Sequence, residues 1–378
     1  MPPASLPPGL ADWLDAHADN LDRTPDLAAE IVPRLAAAGL FGAGVPPELG
    51  GSGGGTGDAI EAIAAVAERS LTAAFVFWGQ RTFIEYLLQS PNEALRGAWT
   101  ATLVEGGHAG ATGLSNAMKF LSGIESLQIR AGAREGGWRL DGALAWVTNL
   151  RKEGFIAAAA VDMPDGAPPA VVAFMGAAAD VAGDVGASGG AIVRSPDLDL
   201  MALRGSNTAA VKLDGLAIDA GALLAPDARA WLPGVRPAFL GMQCGLSIGL
   251  ARAALRSAQA LAGAMRGALP ARIGELQAEL AQRTAELKAG VEDGRFKEAA
   301  PPLFRLRIAL AGIVQQAVML ELQASGGKAY LQDRDDGFAR RWREAAFVPI
   351  VTPSLTQLQH ELDKHELDKH ELDKHAPA

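Results

Sequence analysis

Apolar residues recur three and four positions apart over most of the first hundred residues. The segments LADWLDAHADNLD and LAAEIVPRLAAAGL show this spacing, which is that of an amphipathic helix. Gly39 lies at the end of the second segment and is its expected C-cap, because glycine readily adopts the left-handed conformation that ends helices. DAIEAIAAVAERSLTAAFVFWGQRTFIEYLLQ and SPNEALRGAWTATLV then predict one long helix and a shorter one, the second with Ser90 as its N-cap. The pattern predicts an N-terminal helical domain over residues 1–107.

The period of the pattern changes at His108. Apolar side chains alternate with polar ones in SLQIRAG and in WRLDGALAW, and a Glu-Gly-Gly turn at 135–137 separates the two. This combination predicts a β-hairpin. GFIAAAAV, AVVAFM and NTAAVKLDGLAI are further strand candidates. Short strands of this kind predict a barrel-like middle β domain over residues 108–220.

Helical spacing returns in the last third of the chain. FLGMQCGLSIGLARAALRSAQAL, ARIGELQAELAQRTAELKAG and PPLFRLRIALAGIVQQAVMLELQASGG predict three long helices, and a short fourth follows Gly337. Helices of this length pack as a bundle, expected over residues 221–360. The fold class is therefore mostly α with a central β domain.

The last residues, 361–378, belong to a tail in which the pentad HELDK occurs three times. A period of five builds no apolar face on a helix or a strand. The tail is therefore expected to be solvated and disordered. It also holds several histidines, but their spacing of five gives no dedicated metal site, and none is expected.

Charge and cysteine content exclude several classes of protein. The net charge of the 378 residues is −9, and the basic residues are scattered, which argues against a nucleic-acid partner. Cys244 is the single cysteine, so no internal disulfide forms, as suits a reducing compartment. The start of the chain lacks a secretory pattern, and the longest uncharged apolar run, between Arg236 and Arg252, is too short to span a bilayer. We expect a cytoplasmic protein without a membrane partner.

The glycine-rich segment Gly44–Gly57, GVPPELGGSGGGTG, resembles a phosphate-binding loop only superficially. A nucleotide-hydrolase loop ends in a lysine followed by serine or threonine, whereas this segment continues into Asp58. A dinucleotide-binding glycine loop follows a strand, and here the preceding segment has helical spacing. The segment is therefore interpreted as a turn-rich connection between helices.

Four stretches resemble sequence motifs of the acyl-CoA dehydrogenase family and occur in the same order along the chain. They are LAAAGLFGAGVPPELGGSGG, DGALAWVTNL, ALRGSNTAAVKLDGLAI, and LQASGGKAY followed by ARRWREAAFVPI. The resemblance runs from about residue 10 to residue 359. It implies the family's α–β–α fold, FAD as cofactor, a homodimer or homotetramer, and a small substrate such as an acyl-CoA. It also implies a possible protein partner that accepts electrons.

The same resemblance implies which residues contact the cofactor. Trp146 and Thr148 match the positions that flank the flavin ring, and residues two apart on a strand share one face. The alternative for Trp146 is an ordinary filling side chain of the barrel. Gly326 and Gly327 match a contact to the FAD diphosphate and adenosine made across a subunit interface, and they would also end a helix. The full set of implied cofactor contacts is Thr112, Ser115, Trp146, Thr148, Gln323, Gly326, Gly327 and Gln357.

The chain departs from the family where the catalytic base should be. In the family a glutamate near the C-terminus removes the proton α to the thioester. Its place in IVTPSLTQLQ is Thr352 or Pro353, depending on the alignment, and neither side chain accepts a proton. Some family members carry the glutamate on the first bundle helix instead. That position offers no base here either, because residues 228–274 contain no acidic residue. Of the family motif that contacts the adenine of FAD, only Arg266 has a match in this chain.

Three hypotheses remain open at this point. The first is an FAD-dependent oxidoreductase of the acyl-CoA dehydrogenase type, whose base comes from an unusual position. The second is a flavin-dependent monooxygenase on the same fold, which needs no carboxylate base, and the third is a non-catalytic relative. His108 is a candidate for a role in the pocket, whereas His17 lies on a polar helix face. The fold alone does not choose among these functions.

Overall fold

The N-terminal third of the molecule is helical, as predicted. A computed structural model describes residues 6–176, 191–262, 268–331 and 337–375. Gly39 follows the second helix with a φ of 71°, so its predicted role at that helix end is confirmed. The helices are α1 (Pro8–Arg23), α2 (Ala28–Ala37), α3 (Thr56–Ala67), α4 (Leu71–Leu88) and α5 (Glu93–Val104).

Two predicted helix boundaries are wrong. The long apolar segment forms two helices, because the Ser70 side chain accepts a hydrogen bond from the Ala73 backbone and starts α4 anew. The N-cap of α5 is Asn92, whose side chain accepts from the Leu95 backbone at 3.0 Å. Ser90 instead donates its hydroxyl hydrogen to the Leu224 carbonyl.

The glycine-rich segment between α2 and α3 is a compact turn fastened to α4. The buried Arg81 guanidinium donates to the carbonyls of Ala43 and Gly44, at 2.9 and 3.1 Å, and also to Glu85. At Gly51 a Cβ atom would lie 2.0 Å from the Val45 carbonyl oxygen, so only glycine fits there. The segment therefore serves as a scaffold, as expected.

In the middle of the chain, the described residues on either side of 177–190 form one sheet of eight strands. The strand order is β6-β7-β3-β2-β4-β5-β8, and β1 pairs in parallel with β4 off this path. The predicted hairpin is present as the antiparallel pair β2 and β3. The strands are β1 (Ala109–Thr112), β2 (Ile129–Arg134), β3 (Gly137–Val147), β4 (Phe155–Asp162), β5 (Ala170–Gly176), β6 (Ala191–Arg194), β7 (Ala209–Ile218) and β8 (Leu223–Ala225). A short helix, α6 (Ser115–Leu121), follows β1.

A β-bulge interrupts the alternation at the end of β3. Leu144 pairs with Val211, whereas Val147 pairs with Ala209, so β3 has one more residue than β7 over this stretch. Leu144 and Val147 both enter the core of the sheet, and Trp146 between them is 62% exposed. The alternative of Trp146 as a buried filling side chain is therefore wrong.

The C-terminal helices pack as a layered bundle. Its long helices are α7 (Ala228–Ala262), α8 (Leu269–Glu292) and α10 (Pro301–Ser325), and its short ones are α9 (Arg295–Glu298) and α11 (Phe338–Phe347). Two segments, Ala228–Ala262 and Pro301–Tyr330, are long and apolar enough to cross a membrane, but 94% and 61% of their most apolar windows are buried inside the molecule. Such burial is that of core helices. Cys244 on α7 is buried, and burial raises the pKa of its thiol to about 12.

The expected disordered tail is instead a helix, α12 (Leu355–His375). Leu358 and Leu362 are buried against the body, whereas Leu367 is 66% exposed. The sequence correctly predicted that the repeat has no continuous apolar face, because the five-residue period places Leu367 in solvent. What the repeat does not reveal is that its first copy meets polar partners from other helices.

Candidate active site

A cavity of about 500 Å³ lies where the N-terminal helices, the sheet and the bundle meet. Each of the three layers contributes to its wall. The lining includes Phe75 and Trp78 of α4, Trp146 of β3 and Thr148 directly after that strand, Phe239 of α7, and the segment that follows α11. A site at the junction of layers is the usual position for a small-molecule pocket.

The side of the cavity formed by the sheet and by the start of α6 carries hydroxyl groups; we call it the hydroxyl wall. It consists of Thr112, Ser115, Thr148 and Thr208. The Oγ1 atoms of Thr148 and Thr208 lie 3.1 Å apart, and Thr208 is also hydrogen-bonded to Ser206 at 2.8 Å. These contacts fix the orientation of the Thr148 hydroxyl. It is therefore a pre-oriented hydrogen-bonding group at the cavity surface.

The hydroxyl of Thr112 is hydrogen-bonded to a buried tyrosine. Its Oγ1 lies 2.7 Å from the hydroxyl of Tyr86. Complete burial raises the pKa of the Tyr86 phenol well above its usual range, so the phenol stays protonated at every physiological pH. The hydrogen bond between Tyr86 and Thr112 therefore does not change with pH in the physiological range.

Trp146 presents its indole beside the hydroxyl wall. The bulge in β3 turns this side chain out of the sheet core, and 62% of it is accessible. A flat aromatic face next to several hydroxyls is what an isoalloxazine ring requires, since the ring stacks on one and hydrogen-bonds the others. The residues present therefore fit a flavin.

The side formed by the helices is aromatic; we call it the aromatic wall. It consists of Phe75, Trp78, Phe239 and Phe347. Phe75 and Trp78 stack at 5.5 Å between ring centroids, and Phe347 meets Phe75 edge-on at 4.7 Å. The Trp78 indole nitrogen donates to the Phe239 carbonyl, so its polar atom is satisfied. These residues were missed in the sequence, and the only signal was the aromatic pair three positions apart on α4.

Of the two residues that the sequence offers for the position of the family's glutamate, only one lines the cavity. Thr352 lines the cavity, while the buried Pro353 does not. The Thr352 carbonyl accepts a hydrogen bond from Gln243 at 2.9 Å, and Gln243 in turn accepts one from the buried Arg307. Arg307 also donates to the Val348 carbonyl at 2.7 Å. The segment after α11 is therefore held firmly against the bundle.

Among the described residues that line the cavity there is no aspartate, glutamate or histidine. The two cations at its edge are both paired. Arg343 binds Asp22, with the Nε atom 3.0 Å from the carboxylate, and Lys119 binds Glu125 at 2.6 Å. The cavity thus offers hydroxyls, aromatic rings and neutralised cations, but no proton-accepting side chain.

Other residues singled out in the sequence lie away from the cavity lining. Gln357 is buried and hydrogen-bonds to Ser122. His108 packs edge-on against Trp99, at 5.3 Å between ring centroids, and its carbonyl accepts from Gln80. His17 lies against Trp13. Neither histidine lines the cavity.

The predicted diphosphate contacts lie at the C-terminal end of α10. Gln323, Gly326 and Gly327 are exposed there, and Gly326 ends the helix with a φ of 58°. Their contact across a subunit interface stays a prediction. Arg266 lies outside the described residues. Within the part of the chain that the structure describes, no three His, Cys, Asp or Glu side chains come close enough to hold a metal ion.

Comparison with known proteins bears on this arrangement. Residues 10–107 match the model of the acyl-CoA dehydrogenase N-terminal domain. Butyryl-CoA dehydrogenase from Megasphaera elsdenii has a similar structure, with a TM-score of 0.74, 19% identity, and coverage of 95% of this chain and 94% of that one. This chain has the acyl-CoA dehydrogenase fold. The predicted fold class is thereby confirmed.

Two further solved structures are similar to this chain; one is a monooxygenase, and the other was solved with FMN bound. Dibenzothiophene monooxygenase (TdsC) from Paenibacillus sp. A11-2 matches with a TM-score of 0.75, 16% identity, and 96% of each chain covered. KijD3 in complex with FMN and a dTDP-linked amino sugar matches with a TM-score of 0.76, 20% identity, and coverage of 95% of this chain and 91% of that one. No curated protein sequence matches this chain significantly. At these identities the likeness establishes the fold alone.

Proposed function

We propose that this protein is a flavin-dependent oxidoreductase that holds the FAD ring in the junction cavity. The support is the exposed Trp146 indole beside the hydroxyl wall. One solved structure of the same fold, PigA, contains FAD. Bound FAD would supply the two-electron chemistry that none of the protein's own side chains can provide.

Each group of residues has a defined task toward that cofactor. Trp146 would stack on the ring, while the hydroxyls of Thr112, Ser115 and Thr148 would hydrogen-bond its polar edge. The diphosphate and adenosine of the FAD bound in a second subunit would be held by Gln323, Gly326 and Gly327. Closely spaced glycines suit this role because they let backbone amides approach an anion. This assignment requires a homodimer or homotetramer.

The carboxylate-free cavity lining carries the proposal about the reaction. Removal of a proton next to a thioester needs a positioned base, which contributes about 10²–10⁴-fold to the rate. The described lining has no aspartate, glutamate or histidine. We therefore place oxygen-dependent oxidation of an apolar substrate first. Such a monooxygenation puts one oxygen atom of O₂ into the substrate and reduces the other to water, with two electrons from reduced flavin.

The aromatic wall suits this reaction in two ways. Phe75, Trp78 and Phe239 present ring faces and edges, so they favour an apolar substrate over a charged one. They also exclude water, which protects reactive intermediates from side reactions. Ser206 donates to the Leu203 carbonyl, so Thr208 donates to Ser206 and Thr148 donates to Thr208. The Thr148 oxygen therefore remains as an acceptor close to the proposed ring position.

Dehydrogenation of an acyl thioester is the second candidate. The observation that favours it is the segment Trp146–Asn149, WVTN, which matches the family motif and lies at the cavity. A base would then have to come from elsewhere, and an electron-accepting partner protein would be needed. In either case we propose a cytoplasmic protein, in keeping with its single buried cysteine.

A spectrum of the purified protein, followed by two additions, tests the proposal. Flavin absorption bands should be present or should appear on addition of FAD. Anaerobic acyl-CoA should leave the bands unbleached, and oxygen should be consumed when reduced FAD is supplied. Rapid bleaching by an acyl-CoA would favour the dehydrogenase instead. Failure to bind FAD or FMN would refute both and indicate a non-catalytic relative.

A further inference from the structure

The helix α6 links the cavity to the far side of the molecule. Its first residue, Ser115, and its Lys119 side chain line the cavity. It ends at Leu121, and the side chain of the following residue, Ser122, is buried. A short helix of seven residues has little stability of its own. The position of Ser115 therefore depends on the contacts that hold α6: the hydrogen bonds of the neighbouring Asn116 with residues 125–128, and those at the other end of the helix.

Two residues of α12 hold that end. The Gln357 amide donates to the Ser122 Oγ at 3.0 Å, and the Glu361 carboxylate lies 2.7 Å from the same atom. The Met118 carbonyl is 3.0 Å from it. Because a hydroxyl carries only one hydrogen, it donates best to the closer, charged carboxylate while it accepts from Gln357.

Glu361 is itself fixed by a cation from the bundle. Its second oxygen lies 3.3 Å from Arg236 of α7, and the two side chains are each only 19% exposed. The Arg236 guanidinium also sits over the Phe304 ring of α10, at 5.0 Å from the ring centre. One carboxylate thus connects α6 to α7 and α12.

We infer that Glu361, in the first copy of the HELDK pentad, is a positioning residue for the flavin cavity: through Ser122 it holds α6 and hence Ser115 in place. The inference rests on the proposed flavin site. It also assigns a role to a tail that the sequence pattern predicted to be solvated and disordered.

The chain supplies its own matched control. Glu366 occupies the same place in the second pentad and pairs with Arg305 at 3.3 Å. Those two side chains are 68% and 56% exposed, and exposed pairs contribute little to stability. Glu361→Ala and Glu366→Ala therefore make the same chemical change on the same helix, one at the contact with α6 and one away from it.

The first measurement is hydrogen exchange of the full-length protein without flavin. Glu361→Ala should raise the exchange rate of the backbone amides in residues 115–122 about tenfold or more, as expected for loss of a hydrogen bond to a charged group. Glu366→Ala should leave those amides as in the wild type. Glu361→Gln should restore much of the protection, because its amide oxygen still accepts from Ser122. The core amides of α10 should stay unchanged in all variants.

The second measurement is the dissociation constant for FAD by fluorescence titration. Glu361→Ala should weaken binding about tenfold, an effect of ~1.4 kcal/mol, and Glu366→Ala should not. Equal exchange in α6 for the two alanine variants would overturn the inference, whether or not FAD binds. Equal FAD affinity with faster exchange would also overturn it, since α6 would then be held without consequence for the site. A wild type that binds no flavin would refute the proposed function, and the exchange data would still decide whether Glu361 holds α6.

Discussion

The two walls of the cavity are built in different ways. The hydroxyl wall comes from strands, the residues next to them and the first residue of α6, and it contains hydrogen bonds such as that between Thr148 and Thr208. The aromatic wall comes from three helices far apart in the sequence, and its members are fixed by packing of rings on rings. The comparison teaches that the cavity has one side arranged for polar recognition and another that also belongs to the hydrophobic core. Substitutions on the two sides should therefore separate binding from stability.

The largest effect is expected on the aromatic wall. Trp78 is 3% exposed and packs against both Phe75 and Phe239. Trp78→Ala should lower the free energy of unfolding by about 3–5 kcal/mol, the usual loss for a large buried side chain. Denaturant titration measures this. A change below about 1 kcal/mol would show that this wall does not belong to the core.

The next effect concerns the absent base, and it compares two adjacent positions. Thr352 lines the cavity and Pro353 does not. Thr352→Glu should therefore create acyl-CoA-dependent flavin bleaching, about 10²–10⁴-fold faster than in the wild type. Pro353→Glu should create none and serves as the control. Activity in the proline variant alone would reverse the assignment of the two positions.

A smaller and more selective effect is expected for Trp146. This side chain is 62% exposed, so Trp146→Ala should change the free energy of unfolding by less than about 0.5 kcal/mol. FAD affinity should nevertheless fall about tenfold, the order of one aromatic stacking contact. Calorimetry and a fluorescence titration measure the two quantities. Wild-type affinity together with an unshifted visible spectrum would remove Trp146 from the flavin site.

The smallest effect is expected behind the hydroxyl wall. Thr208→Val removes the partner of Thr148 and of Ser206 while it keeps the side-chain volume. Loss of one such hydrogen bond costs about 1 kcal/mol. We expect a drop in FAD affinity of about fivefold, measured by the same titration. A larger drop in stability than in affinity would mean that this network supports the sheet rather than the site.

The regular periodicities in the sequence predicted most of the fold. The β2–β3 hairpin and the long bundle helices follow from local spacing alone, because their apolar faces repeat over many residues. Helix starts were less predictable. Ser70 and Asn92 act as caps only because their side chains reach particular backbone amides. The sequence offered Ser90 as an equally good cap.

The candidate site was only half predictable for a similar reason. Thr112, Ser115, Trp146 and Thr148 do come together at one cavity, as the family resemblance implied. The bulge that exposes Trp146 depends on pairing with β7, which the alternation within β3 does not reveal. The aromatic wall depends on the packing of α4, α7 and α11. Contacts between segments more than a hundred residues apart leave no local pattern.

The pentad repeat of α12 bears on how this chain can vary in length. Five residues advance an α-helix by one turn and about 140°, so successive copies face different directions. The first copy lies against the body through Leu362, while Leu367 of the second points into solvent. The described ion pair of the second copy is the exposed one between Glu366 and Arg305, so a change in the number of later copies leaves the buried contact of Leu362 in place. Replication slippage in such a repeat would produce proteins of different size with the same fold and the same site.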